Sequence, residues 1–168
     1  DPVYTTTASK ADLWLPVEPG KDVHLALAMM HTVFEDETYD EDFLRKRTTA
    51  PALIRKDTGE LLKASDVFED GGENQVVAVE RGSGSPVALE PETGGAYALF
   101  GEFTVDGVAC ETALTRLRDH AADYAPEKVA ETTGVDAENI RTAIRWLATR
   151  GPGGIAPSYA IGRYKHGH

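Results

Sequence analysis

One cysteine in 168 residues leaves no partner for an internal disulfide, no thiolate set for zinc and no ligand set for an iron–sulfur cluster. Basic side chains are scarce as well. Seventeen Lys and Arg stand against 28 Asp and Glu, a net charge of −11. That balance argues against a nucleic-acid partner, which requires a basic patch. The acids are spread along the chain, as on a solvated surface; a salt-adapted source is the second reading. No apolar run reaches the roughly 18–20 residues that span a bilayer. No basic-then-apolar leader opens the chain, which begins at Asp1-Pro2 without Met, the pattern expected of a processed product or an excised piece. Gly-x-x-x-x-Gly-Lys, Gly-x-Gly-x-x-Gly and Gly-x-Ser-x-Gly motifs are all missing. What remains is 41% hydrophobic and 8% aromatic residues, enough for one domain with a real core.

Residues 11–17 read as a short strand that Pro16 ends or confines to an edge. Glu18-Pro19-Gly20 is a turn, and Asp22 is an N-cap or first-turn acid. The helix that follows carries Val23, Ala26, Leu27, Met30, Val33 and Phe34 on one face, with Leu25, Ala28 and Met29 over much of the rest. It is expected to be buried on more than one side. Residues 40–47 form a short helix capped by Asp40. From residue 50 the pattern turns to hairpins: one over 52–62, one joining 75–80 to 86–90 across Arg81-Gly82-Ser83-Gly84-Ser85, and a strand over 97–105 that ends at Asp106-Gly107. Helical spacing returns at Cys110, Ala113, Leu114, Leu117, Ala121 and Tyr124. Pro126 suits a helix start and Gly134 its stop. Asp136 caps a last helix with Ile140, Ala143, Ile144, Leu147 and Ala148 on its stripe. Residues 155–161 read as a buried strand, followed by a loop. The expected class is α/β: a Rossmann-like, mostly parallel sheet with flanking helices over 1–49 and 109–168, carrying a β-hairpin-rich insertion over 50–108.

Chemistry-bearing residues sort quickly. His24 and His31 lie seven positions apart on one helix, about 10.5 Å between Cα atoms, too far for one ion. Packing or surface roles are expected for both. His166 and His168 have no carboxylate cluster beside them. Cys110 is placed on an apolar helix face, as buried packing. Two loops do better, both expected at strand C-terminal ends, where open α/β sheets bind ligands. In Glu18-Pro19-Gly20-Lys21-Asp22, Gly20 lets a ligand approach the backbone, the helix start offers unpaired N–H groups, and Asp22 has the geometry to accept two N–H donors from a guanine edge. Residues 158–167, with Tyr159, Arg163, Tyr164, Lys165 and His166, offer flat surfaces and positive charge for a phosphate-bearing heterocycle. The plain alternative is a capped helix and an ordinary loop.

Five ordered stretches resemble the molybdopterin oxidoreductase family, also called the dimethyl sulfoxide reductase family. Asp1-Pro2-Val3-Tyr4-Thr5-Thr6-Thr7-Ala8 through Ala11-Asp12-Leu13-Trp14-Leu15-Pro16 resembles its DPR-x-T-x-TA-x-x-AD-x-WLP stretch. Pro19-Gly20-Lys21-Asp22-Val23-His24-Leu25-Ala26-Leu27-Ala28-Met29-Met30 resembles its PGTD-x-AL-x-x-AM. Tyr124-Ala125-Pro126-Glu127 through Thr133-Gly134-Val135 resembles Y-T-PE-x-x-A-x-x-TGV, and Ile140-Arg141 through Ala148 its IR-x-x-A-R-x-x-A helix, with 158–167 similar to its last glycine-rich loop. The likeness covers about residues 1–48 and 110–168. Leu53-Ile54-Arg55-Lys56-Asp57-Thr58-Gly59 is similar to the branch with nitrate, selenate and chlorate reductases and ethylbenzene dehydrogenase.

The resemblance implies a segment of a catalytic subunit that holds molybdenum or tungsten between two molybdopterin guanine dinucleotides. It implies that Asp1, Tyr4 and Thr5 lie near one guanosine, that Gly20, Lys21 and Asp22 contact the guanine, and that Tyr159 and Arg163 approach the cofactor from the last loop. Val3 departs from the usual Arg, Lys21 from the usual Thr or Ser, and Gly162 from a longer polar residue. The implied partners are an iron–sulfur electron-transfer subunit and the remainder of the same large subunit. Export of the parent to the outer face of the cytoplasmic membrane is compatible with the resemblance, which does not fix the compartment. The segment alone is expected to catalyse nothing. The alternatives are a free-standing nucleotide- or protein-binding α/β module and a hydrolase using carboxylates with His166.

Overall fold

Capping residues and helical spacing set most of the elements. The computed structural model describes residues 1–90 and 95–156. They fall into two units, Asp1–Tyr39 with the described part of His120–His168, and Asp40–Asp119.

The first unit is built on helices α1 (Asp22–Glu35), α4 (Pro126–Thr133) and α5 (Ala137–Thr149). Pro126 stands in the first turn of α4, where its missing N–H costs nothing, and Gly134 ends that helix at φ 71°, a left-handed conformation that glycine adopts without strain. Asp136 caps α5 by accepting the N–H groups of Glu138 and Asn139. The core joins Val17, Ala28, Val129, Val135 and Ile140, with Leu15, Leu25, Met29 and Tyr124 packed around it.

Two expectations fail here. Residues 11–17 form no strand: 11–13 are bends and 14–18 are irregular. No neighbouring strand among the described residues offers a ladder, and Pro16 has no N–H to give one. The segment is held by individual bonds instead. Helix α1 is also not buried all round. It packs through Leu25, Ala28, Met29 and Thr32, and the exposed positions from Asp22 through Phe34 are Val23, Ala26 and Met30, all apolar. The expected core face is therefore partly open: Val23, Ala26 and Met30 are exposed, while Leu27, Val33 and Phe34 are half-buried. Along α5, only Ile140 of the expected stripe is fully buried.

The second unit carries α2 (Glu41–Arg47), capped by Asp40, and short antiparallel strands. Strands β1 (Leu53–Arg55), β4 (Glu102–Val105) and β5 (Val108–Thr112) form one sheet in the order β1-β5-β4; β2 (Val77–Val79) and β3 (Pro86–Ala88) form a second. The hairpins over 52–62 and 75–90 are present as expected. Cys110 corrects another expectation. It is fully buried in β5, not on a helix, because Asp106 (φ 49°) and Gly107 (φ 80°) make a tight turn that sends the chain back as a strand. Helix α3 (Ala113–Ala121) begins only after that strand.

The class is mixed α/β. Every strand pair described is antiparallel, so the parallel Rossmann-like sheet is not seen among the described residues. Residues 155 and 156 are exposed and irregular, and the remainder of the expected strand over 155–161 lies outside the described residues.

Candidate functional site

Residues 1–5 fold onto residues 14 and 15. The Trp14 Nε1–H donates to the Asp1 carbonyl at 2.7 Å, and the Asp1 backbone nitrogen donates to the Leu15 carbonyl at 3.2 Å. The Asp1 carboxylate accepts the Val3 N–H at 3.2 Å and the Thr5 hydroxyl at 3.4 Å. Thr5 Oγ1 in turn accepts the Ala8 N–H. Tyr4 stands edge-on to Trp14, with ring centroids 5.0 Å apart, and is 60% exposed. Asp1 and Thr5 therefore use their polar atoms to close their own turn. Tyr4 and Val3 face outward.

Val17 enters the core beside Ala28, and the chain then crosses the end of α4. The Glu18 N–H donates to the Thr133 carbonyl at 2.8 Å, and the Lys21 N–H to the Glu18 carbonyl at 3.0 Å. Gly20 sits in that turn at φ 79°, and a Cβ built on it would meet nothing within 4 Å. Its outer side is open. Lys21 precedes α1 and gives it no side-chain cap. Asp22 is the acid of the first turn, where a negative charge opposes the positive end of the helix dipole. No hydrogen bond or ion pair joins the Asp22 carboxylate or the Lys21 ammonium to any described residue.

The far end of α1 is held differently. Glu35 and Asp36 sit where the helix dipole is negative, which disfavours both acids. Arg141 answers by bridging Glu35 at 2.6 Å and Glu127 at 2.8 Å, and Arg145 pairs with Asp36 at 2.7 Å. The Arg145 hydrogen bond lowers the Asp36 pKa, and the Arg141 hydrogen bond lowers that of Glu127.

Gly20, Lys21 and Asp22 thus share one open turn, and Asp1 and Thr5 share another with Tyr4. No hydrogen bond or ring contact joins the two groups directly; Trp14, Leu15 and Val17 connect them through the chain. Tyr159 and Arg163 lie outside the described residues, as do His166 and His168. His24 and His31 have packing roles. His31 Nδ1 lies 3.1 Å from the Ala121 carbonyl, and the His24 ring is edge-on to Tyr124. Among the described residues no group of three or more His, Cys, Asp or Glu could hold a metal ion. Burial raises the Cys110 pKa, which fits packing and not nucleophilic use.

The supports Trp14, Thr133 and Gly134 were not singled out as site residues from the sequence. The Thr-Gly-Val run was readable as a helix stop, but its partner lies more than a hundred positions away, at Glu18.

The residues present suit a heterocycle with N–H donors and a phosphate-bearing tail. Among the described residues Asp22 offers two unengaged acceptor oxygens, Lys21 an unengaged cation, and Gly20 an unobstructed backbone.

No family model matches the chain. It is 56% identical over its whole length to a Halobacterium salinarum protein assigned as the catalytic chain of a dimethyl sulfoxide reductase, of which it covers 20%. It is 31% identical, over 86% of its length, to the chlorate reductase alpha subunit of Ideonella dechloratans, covering 17% of that protein. Among solved structures it resembles acetylene hydratase from Pelobacter acetylenicus, with a TM-score of 0.54 and 23% identity, over 96% of this chain and 14% of that one. At that identity the likeness establishes a shared fold. The chain spans about a fifth of the length of the curated relatives it matches.

Proposed function

Because this chain belongs to the dimethyl sulfoxide reductase family of molybdopterin oxidoreductases, we propose that it is the segment of a catalytic subunit that grips the guanine end of a molybdopterin guanine dinucleotide. The observation that carries this is the Gly20-Lys21-Asp22 turn. It combines an open backbone with a carboxylate that has no partner among the described residues, at a helix start without a side-chain cap.

Each residue has a separate part. Asp22 accepts the two N–H donors on the guanine edge, a charge-assisted pair stronger than neutral hydrogen bonds. Gly20 lets the base lie against the main chain. Lys21 offers its ammonium to the phosphates as a point charge. Residues 1–5, pinned by Trp14, present Tyr4 toward the ribose side. Tyr159 and Arg163 complete the grip. When bound, the cofactor's molybdenum or tungsten supplies the two-electron redox chemistry; this segment binds and orients it.

The exposed positions of α1 before its final Glu35 are all apolar, which favours a segment over a free-standing module. A surface helix ordinarily turns polar residues to water, so Val23, Ala26 and Met30 call for cover from the rest of a larger protein. Residues 1–49 and 109–168 would then form the cofactor-binding frame and 50–108 an insertion. The parent would transfer an oxygen atom or hydroxyl and pass electrons to an iron–sulfur subunit.

The test is Asp22→Ala in the full-length catalytic subunit. Guanine released from the purified protein should fall at least fivefold, while circular dichroism stays unchanged. Wild-type guanine and molybdenum content in that variant would contradict the assignment.

A further inference from the structure

Gly134 and Thr133 touch no candidate ligand, yet the whole Gly20-Lys21-Asp22 turn is built on them. The Thr133 carbonyl accepts the Glu18 N–H at 2.8 Å, the Glu18 carbonyl accepts the Lys21 N–H at 3.0 Å, and the Lys21 carbonyl accepts the Leu25 N–H at 3.1 Å. These bonds run without a break from the C-terminus of α4 into the first turn of α1. Thr133 is fully buried and cannot drift. Its hydroxyl donates to the Val129 carbonyl at 2.8 Å and accepts the Val135 N–H at 3.3 Å. Gly134 fits against the same loop from the other side. A Cβ there would stand 3.2 Å from Glu18 Cγ and 3.6 Å from the Pro16 carbonyl oxygen.

We infer that Thr133-Gly134 is a positioning element that sets where Gly20 and Asp22 stand. This rests on the guanine-binding reading above. The glycine is required twice over: for its left-handed backbone, and for the space that Glu18 fills. A side chain at 134 is a wedge that crowds Glu18 Cγ by a few tenths of an ångström, loosens the Glu18–Thr133 bond and shifts the Asp22 carboxylate against its ligand. A misplacement well under 1 Å is enough to weaken a two-point hydrogen bond.

The two requirements separate by mutation. Asn tolerates the left-handed region, so Gly134→Asn keeps the helix stop and adds only the wedge. Glu18→Ala removes Cγ, the atom the wedge meets. Two quantities are measured on the full-length catalytic subunit: amide exchange of the peptide covering residues 16–25, and guanine released from the purified protein. Gly134→Asn should speed exchange there about tenfold and reduce guanine to under a third. Adding Glu18→Ala should bring both back to within about twofold of wild type. Should the Asn variant not accumulate, Gly134→Asp, which also tolerates the left-handed region, is expected to give the same ordering. Unchanged exchange in both Gly134 variants, or losses that Glu18→Ala does not repair, would overturn the inference. Asp22→Ala is the companion control. If it leaves guanine content intact, the guanine reading fails, while the exchange and rescue data still decide the positioning role.

Discussion

Asp22 has no hydrogen-bond or ion-pair partner among the described residues, whereas several other acids of the chain are engaged. Asp36, Asp57 and Glu127 each face an arginine that lowers their pKa. Asp57 shows the effect most plainly: its two hydrogen bonds from Arg55, at 3.0 and 2.8 Å, bring the carboxyl from 3.8 to about 2. A depressed carboxyl stabilises the fold above its unfolded pKa and ceases to do so as pH falls through the folded one. The Arg55–Asp57 contribution should therefore be complete above pH 3.8 and fade toward pH 2. Carboxyl NMR titration should find the Asp57 midpoint near 2, and Arg55→Ala should return it toward 3.8. A midpoint of 3.8 in both proteins would contradict the pairing. At this scale the caps were legible in the sequence, because Asp40, Asp136 and Gly134 act on residues within a turn of themselves. The supports of the candidate site were not. Trp14 reaches Asp1 and Thr133 reaches Glu18 across distances that no local pattern encodes.

Among the elements, α1 matters most, because its start carries the proposed guanine contacts. Its two ends are fastened by different means: backbone bonds to α4 at the start, and arginines of α5 at the finish. Between them Ala28 and Ile140 meet in the core without exposed surface. Ile140→Ala should destabilise the chain by about 2–5 kcal/mol through the cavity it leaves, read from a denaturation midpoint. A loss below about 1 kcal/mol would mean that the helices do not pack as described. The apolar period of α1 located the helix but not its buried side, since both faces are apolar and the spacing alone fits either. Cys110 was misplaced for a related reason. Its spacing to Ala113, Leu114 and Leu117 is helical, yet the Asp106-Gly107 turn dictates a strand first.

For the molecule as a whole, the spacing of motifs gave the family, and the comparisons bear it out. The parallel sheet was less accessible to such reading. A strand such as 11–17 needs a neighbour to pair with, and the described residues provide none. The same logic governs ligand binding. If the rest of the pocket lies elsewhere in a protein about five times as long, this chain alone should hold guanosine diphosphate no tighter than about 100 μM. Calorimetry giving a submicromolar Kd would show that the chain carries a complete site.

The most direct test of the central claim is a structure of the cofactor-loaded catalytic subunit that contains this chain. The account predicts both Asp22 carboxylate oxygens within about 2.7–3.2 Å of the N–H groups on one guanine edge, with Gly20 against the base. A guanine bound elsewhere, or Asp22 buried against protein and paired with another side chain, would contradict it.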